Sequence, residues 1–322
     1  MMSIKASSFN RSIKMALVSP PCVTESLSKI RHIIGNLPDG KLYASDHGNA
    51  VSFYTIVNGH QKYISKRSKE IYPLARKTYL LLLLHILELT GSGRTRDIIK
   101  RKTLITKLQK LMIIFERGNL ELERIVLTSK QYKWFAGNYI QKHIDKNKAF
   151  RSTCDKYVRS KSERDIANAN EKLAVPFHYE ERTVIFVRPI VTKLYEALQK
   201  KGLQGRLYEY TNGTIIWRVP PELQWMNTSG SIWKTYDAGT GTIAIFNDFK
   251  IMLANGDIII WEHEGLMGDF VYRCNASERA AIIKLTETID KGNLIETYEH
   301  DIDSPEKLID IIERHILPRL WF

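Results

Sequence analysis

The residues best placed to act together are two acids on what reads as one β-hairpin, Ile245 to Gly265. Asp248 lies in the first apolar stretch, among Phe246, Phe249 and Ile251, and Glu262 ends the second, Ile258 to Trp261. Asn255-Gly256-Asp257 between them is a turn signal. Carboxylates on neighbouring strands can converge on one hard cation, because such ions take oxygen ligands. A third acid, Glu163, stands three residues after Ser160, the spacing of a capping box. Residue type alone leaves both a helix cap and a third ligand open to it. Cys22, Cys154 and Cys274 are too scattered for paired metal spacing, which argues against a zinc knuckle or a disulfide framework.

These acids need elements to hold them. Ser160 opens a helix whose apolar face is Ile166, Ala167, Ala169 and Leu173; Val175-Pro176 ends it, and Phe177 to Glu180 begins a strand. After the hairpin the pattern predicts a helix over 277–291, a strand over 294–298 and a last helix over 305–316. Upstream, residues 1–25 are Ser-rich and poorly patterned, and are expected to be loose. A short helix over 26–36 follows, then three strand-like segments, KLYAS, AVSFYTIV and QKYIS, separated by turn signals. Residues 68–127 read as two helices broken at Gly91-Ser92-Gly93, the first with a buried stripe of Leu74, Leu81, Leu84, His85 and Leu87. Tyr132, Trp134, Phe135 and Tyr139 could stack on bases, but packing is the commoner use of such aromatics. Residues 188–236 are harder to read; a helix over 190–200 and a hairpin about Asn212-Gly213 are expected.

Charge divides the chain. The net formal charge is +13, yet residues 1–150 hold 26 Lys and Arg against 10 Asp and Glu, while the rest is slightly acidic. The basic part is a candidate for a polyanion, nucleic acid above all, through the helical region 66–150; a merely solvated helical face is the plain alternative. The longest apolar run, near Leu80 to Leu89, is broken by His85 and Glu88 and is too short to span a bilayer. With few cysteines and no signal-like leader, a soluble, cytoplasmic protein without a membrane partner is expected.

The order of helix with Glu, strand, strand with Asp, strand with Glu, helix, strand resembles the PD-(D/E)XK nuclease superfamily. More narrowly it is similar to a bacterial group, and to helicase-appended nuclease domains, that carry a YVRSKSE helix, a PDF strand and a WEHFGMMDDPEY segment. The matching text runs from Tyr157 to Glu163, Val175 to Glu180, Asn247 to Phe249 and Trp261 to Asp269, with Tyr272 and Lys284-Leu285 beyond. The resemblance is clear over 157–181 and 245–300.

The resemblance implies an α/β fold, a restriction-endonuclease-like mixed sheet flanked by helices, preceded by a small antiparallel meander (1–66) and a basic helical region (67–150). The nuclease-like part would be 151–322, with 188–236 inserted. It implies that Asp248 and Glu262 hold Mg²⁺ or Mn²⁺, that Glu163 contributes directly or through water, and that DNA is cut by a metal-activated water. Glu180 would lie nearby. Two positions depart from the pattern. Asn247 stands where the motif has Pro, and Glu264 stands where the superfamily has Lys. Lys284 is the candidate displaced lysine, with Lys250 behind it. His263 is an alternative ligand or acid/base group, although a lone histidine is more often structural. The expectation is specific: Glu163, Asp248 and Glu262 should meet in space, with no arginine filling the gap.

Overall fold

The computed structural model describes residues 3–18, 23–48, 50–186, 206–209, 215–218, 240–266, 268–285 and 293–321. The chain begins with α1 (Ala6–Ala16) and α2 (Val23–Gly35), then β1 (Tyr43–Asp46), β2 (Val51–Val57) and β3 (His60–Tyr63). Next come α3 (Ile71–Glu88), α4 (Thr95–Arg117), α5 (Leu122–Val126) and α6 (Ser129–Ala136). A small ladder, β4 (Phe150–Arg151) with β5 (Tyr157–Val158), precedes α7 (Lys161–Lys172) and β6 (His178–Phe186). Strands β7 (Arg206–Glu209) and β8 (Ile215–Arg218) pair antiparallel. The chain closes with β9 (Thr242–Met252), β10 (Ile258–Glu264), α8 (Phe270–Leu285), β11 (Leu294–Tyr298), α9 (Pro305–His315) and α10 (Leu317–Leu320).

This is a mixed α/β protein with two principal sheets. The first is antiparallel, in the order β1-β2-β3. The second has the order β11-β10-β9-β6; β6, β9 and β10 run antiparallel, and β10 pairs with β11 in parallel. A parallel neighbour requires a crossover, which α8 supplies. Strands β9 and β10 are buried along nearly their whole length, as their apolar sequences require of central strands. Gly256 turns the hairpin at φ +89°, and its N–H donates to the Leu253 carbonyl at 2.9 Å.

One hydrophobic cluster runs from Ile4 to Trp321 and crosses all three expected segments. The N-terminal stretch expected to be loose is instead helix α1. Phe9, Ile13 and Ala16 recur at helical spacing and are buried, and Phe9 packs edge-on against Tyr79 and Trp321 with centroids 6.0 and 5.2 Å apart. The Trp321 indole N–H donates to the Ser12 hydroxyl at 2.8 Å, tying the two ends of the described chain together. His85, expected within the buried stripe of α3, is exposed. The aromatics in and just after α6 serve packing: Phe135 is buried, and Trp134 and Tyr139 stack on the two sides of His178, at 3.9 and 4.0 Å between ring centroids. The expected helix over 190–200 lies outside the described residues. Of the expected 277–291 helix, the part up to Leu285 is seen within α8, and the rest also lies outside them. No helix among the described residues is long and apolar enough to cross a membrane.

Candidate metal centre

The register of the second sheet lines up chemistry in rungs. Tyr179, Phe249 and Trp261 are paired across β6, β9 and β10 and form a buried aromatic rung. The next residue along each strand is an acid: Glu180, Asp248 and Glu262. On β11, Glu296 pairs in register with Glu262 and extends the acidic rung. Five carboxylates here, Glu163, Glu180, Asp248, Glu262 and Glu264, are buried.

Glu163 comes from α7; it completes the helix cap, and its carboxylate also lies beside two other acids. Its Oε2 accepts from the Ser160 N–H at 2.7 Å, completing the capping box, and from the Tyr179 hydroxyl at 2.9 Å. Oxygens of Glu163, Glu180 and Asp248 all lie within 4.8 Å of one another. Glu262 is not the third member of this triad. Its Oε1 faces the Asn247 amide at 3.1 Å and the Asp248 N–H at 3.4 Å, and its Oε2 is ion-paired with Arg279 Nε at 2.8 Å. Asp248 Oδ2 accepts from the His263 N–H at 2.9 Å, so the two hairpin strands are cross-tied through the acids themselves.

Glu180 is the unusual residue. It is wholly buried, its Oε2 has no hydrogen-bond partner among the described residues, and its backbone is left-handed at φ +52°. A long side chain rarely adopts that conformation, which costs ~1–3 kcal/mol and tends to mark functional positions. The pairing keeps the same register on either side, from Tyr179↔Phe249 to Glu181↔Asn247, while the Glu180 carbonyl turns outward to accept from the Lys142 N–H at 3.1 Å.

Two arginines reach these acids. Arg159, the residue before the α7 cap, is ion-paired with Glu180 and stands 3.7 Å from Glu163 and 3.6 Å from Asp248. Arg279, on α8, joins Glu262 to Glu264, the latter at 3.4 Å. The expectation of a gap free of arginine is therefore not met. Two guanidinium groups pair with five buried carboxylates, with Lys142 also acting on Glu180, an arrangement that favours protons or a cation among the acids. Burial pushes the Glu180 carboxyl up to about 7; Arg159 pulls it down and Asp248 pushes it further up. Burial likewise raises Glu262 and Glu264, against the pull of Arg279.

The remaining candidates fall elsewhere. The His263 ring is hydrogen-bonded to Thr297 at 3.3 Å and faces Glu299 at 3.4 Å; its backbone, not its imidazole, touches the acids. Lys284 is ion-paired with Glu296 at the far end of the acidic rung. Lys250 holds Glu181 at 2.7 Å, and the other oxygen of Glu181 holds His178. Arg279 carried no sequence signal, since a helix arginine becomes a partner of Glu262 only once α8 has crossed the sheet. Glu180 could have been placed from the rung register once the hairpin was aligned with β6. A depression of about 430 Å³ has a lining that includes Lys142, whose N–H donates to the Glu180 carbonyl, with Lys146, Lys156, Tyr139 and Tyr157.

No protein-family model matches this chain, and neither a curated protein nor a solved structure matches it.

Proposed function

We propose that this chain is a divalent-metal-dependent nuclease that hydrolyses phosphodiester bonds of nucleic acid, DNA in the first instance. One observation carries the reading: three buried carboxylates from three separate elements, Glu163, Glu180 and Asp248, bring oxygens within 4.8 Å of one another. An all-carboxylate donor set suits Mg²⁺ or Mn²⁺. Oxygens sharing one magnesium lie at most ~4.2 Å apart, so a bound cation would need the triad no wider than that and Arg159 to yield its place. A cation held there supplies a Lewis acid for a phosphate oxygen and makes a bound water acidic. Glu262 and the His263 N–H keep Asp248 in position. Lys142 and Lys146 line the depression of about 430 Å³, where they can hold phosphates that flank the scissile one. The restriction-endonuclease-like description of the sheet belongs to this same proposal.

A second reading is a nucleic-acid-binding protein without chemistry. The observation in its favour is that Arg159 and Arg279 already engage the acids. The test is incubation of the purified protein with plasmid and single-stranded DNA, with and without Mn²⁺, beside Asp248→Ala. Cutting that needs the metal and disappears in the variant supports the nuclease. No cutting, together with no calorimetric signal for Mn²⁺, supports the binder.

A further inference from the structure

We propose that the outward face of the first sheet is a stacking platform for the bases of a single-stranded nucleic acid, with its phosphates carried by lysines of α4. The proposal rests on the nucleic-acid part of the reading above and is independent of the metal. Three tyrosines form one rung across this sheet: Tyr43 pairs with Tyr54, and Tyr54 with Tyr63. Alternation puts them on the face opposite Phe53, which packs on Phe115 with ring centroids 6.1 Å apart. The tyrosine rings therefore face away from the core. Tyr63 is 66% exposed and Tyr43 38%, and Ile56, two residues on from Tyr54, is also exposed. Tyr43 and Tyr54 are stacked at 5.5 Å, so the free ring faces lie at the two ends of the rung.

A cross-strand aromatic pair alone would stabilise the sheet. It would not call for a third tyrosine standing in solvent, nor for the charge around it. Residues 41–69 carry Lys41, Lys62, Lys66, Arg67 and Lys69 against two acids: Asp46, which is ion-paired with Arg117, and Glu70 just beyond. None of those five cations has an acidic partner among the described residues. At its β1 end the rung opens into a groove of about 750 Å³ with an apolar floor that includes Leu81 and Leu104, rimmed by Lys41, Lys107 and Lys110. Aromatic faces for bases beside a line of uncompensated lysines are what a single strand needs, and a duplex, whose bases are already stacked, cannot use the tyrosines.

The experiment is fluorescence anisotropy of the full chain in EDTA, so that cleavage plays no part, with labelled oligo(dT) and a duplex of equal length at several salt concentrations. Wild type is expected to prefer the single strand. Tyr63→Ala and Tyr43→Ala each weaken oligo(dT) binding by ~tenfold and leave duplex binding unchanged. Lys107→Ala with Lys110→Ala flattens the salt slope by ~1.4, at ~0.7 per lost phosphate contact, and spares the strand preference. Circular dichroism confirms that the variants fold. Tyrosine variants that bind oligo(dT) as wild type does overturn the proposal, as does an absence of salt-dependent binding, which would assign the patch to a protein partner. Neither failure touches the metal centre, which the Mn²⁺ titration judges separately.

Discussion

The two sheets handle charge in opposite ways. At the four-stranded sheet and the start of α7, five carboxylates are buried, three of them within 4.8 Å of one another, and two guanidinium groups pair with them. In the three-stranded sheet and α4, the cations are exposed and have few acidic partners. Burial makes charge expensive, so the first arrangement stores a demand for positive charge at one point. Exposure makes charge cheap and screened, so the second spreads a weak attraction over a surface. In the readings proposed above, the first region would hold a compact cation and the second would follow an extended anion.

The comparison can be broken at several points, the most damaging first. Asp248→Ala removes a ligand of the triad, and metal-dependent cutting should fall by more than ~100-fold, measured on plasmid DNA with Mn²⁺. Asp248→Ala cutting as wild type does would remove the acids from the mechanism. Arg159→Met leaves three buried carboxylates without their shared counter-ion. It should cost ~2–4 kcal/mol in urea denaturation without metal, a figure reduced because the guanidinium is 40% exposed. Mn²⁺ should restore more stability to this variant than to wild type, since binding to the native state stabilises by mass action. Equal responses would mean that the arginine and the cation do not compete.

The pH dependence sharpens the same point. Glu180 has a folded-state pKa of about 7, above the usual 4.5, so the folded protein holds its proton more tightly. The associated stability is fully present below about pH 4.5 and is lost as pH rises to about 7, by up to ~3 kcal/mol without metal. Glu180→Gln should flatten that loss in denaturant melts at pH 4.5 and 7.5; an unchanged slope would locate the proton elsewhere. The smallest effect is expected from Lys284→Ala. Its ion pair with Glu296 is surface-placed, so stability should move by less than ~1 kcal/mol and cutting by less than about twofold. A large loss of cutting with folding intact would restore Lys284 to the mechanism.

Local pattern made much of this legible. The meander, the capping box at Ser160 and the hairpin about Gly256 follow from turn residues and alternation, because those signals act over a few residues. Asp248 and Glu163 could be singled out for the same reason. What stayed hidden depends on packing between distant segments. Helix α1 is held by Trp321 and Tyr79, far along the chain, and its Ser-rich sequence concealed a sound apolar stripe. Glu180 stands in the triad while Glu262 turns to Arg279 and Asn247, a choice of partners that no periodicity announces. Arg279 meets its acids only through the crossover of α8.

The outer border of the sheet beside Glu180 is gripped by residues 140–142: Lys142 and Ile140 bond to β6 on either side of the Gln141–Glu181 bridge. Strand β6 would otherwise present a bare row of donors and acceptors beside the acids, a template on which another polypeptide could zip. That short strap occupies the row there, so strand-to-strand aggregation is blocked at the stretch nearest the carboxylates.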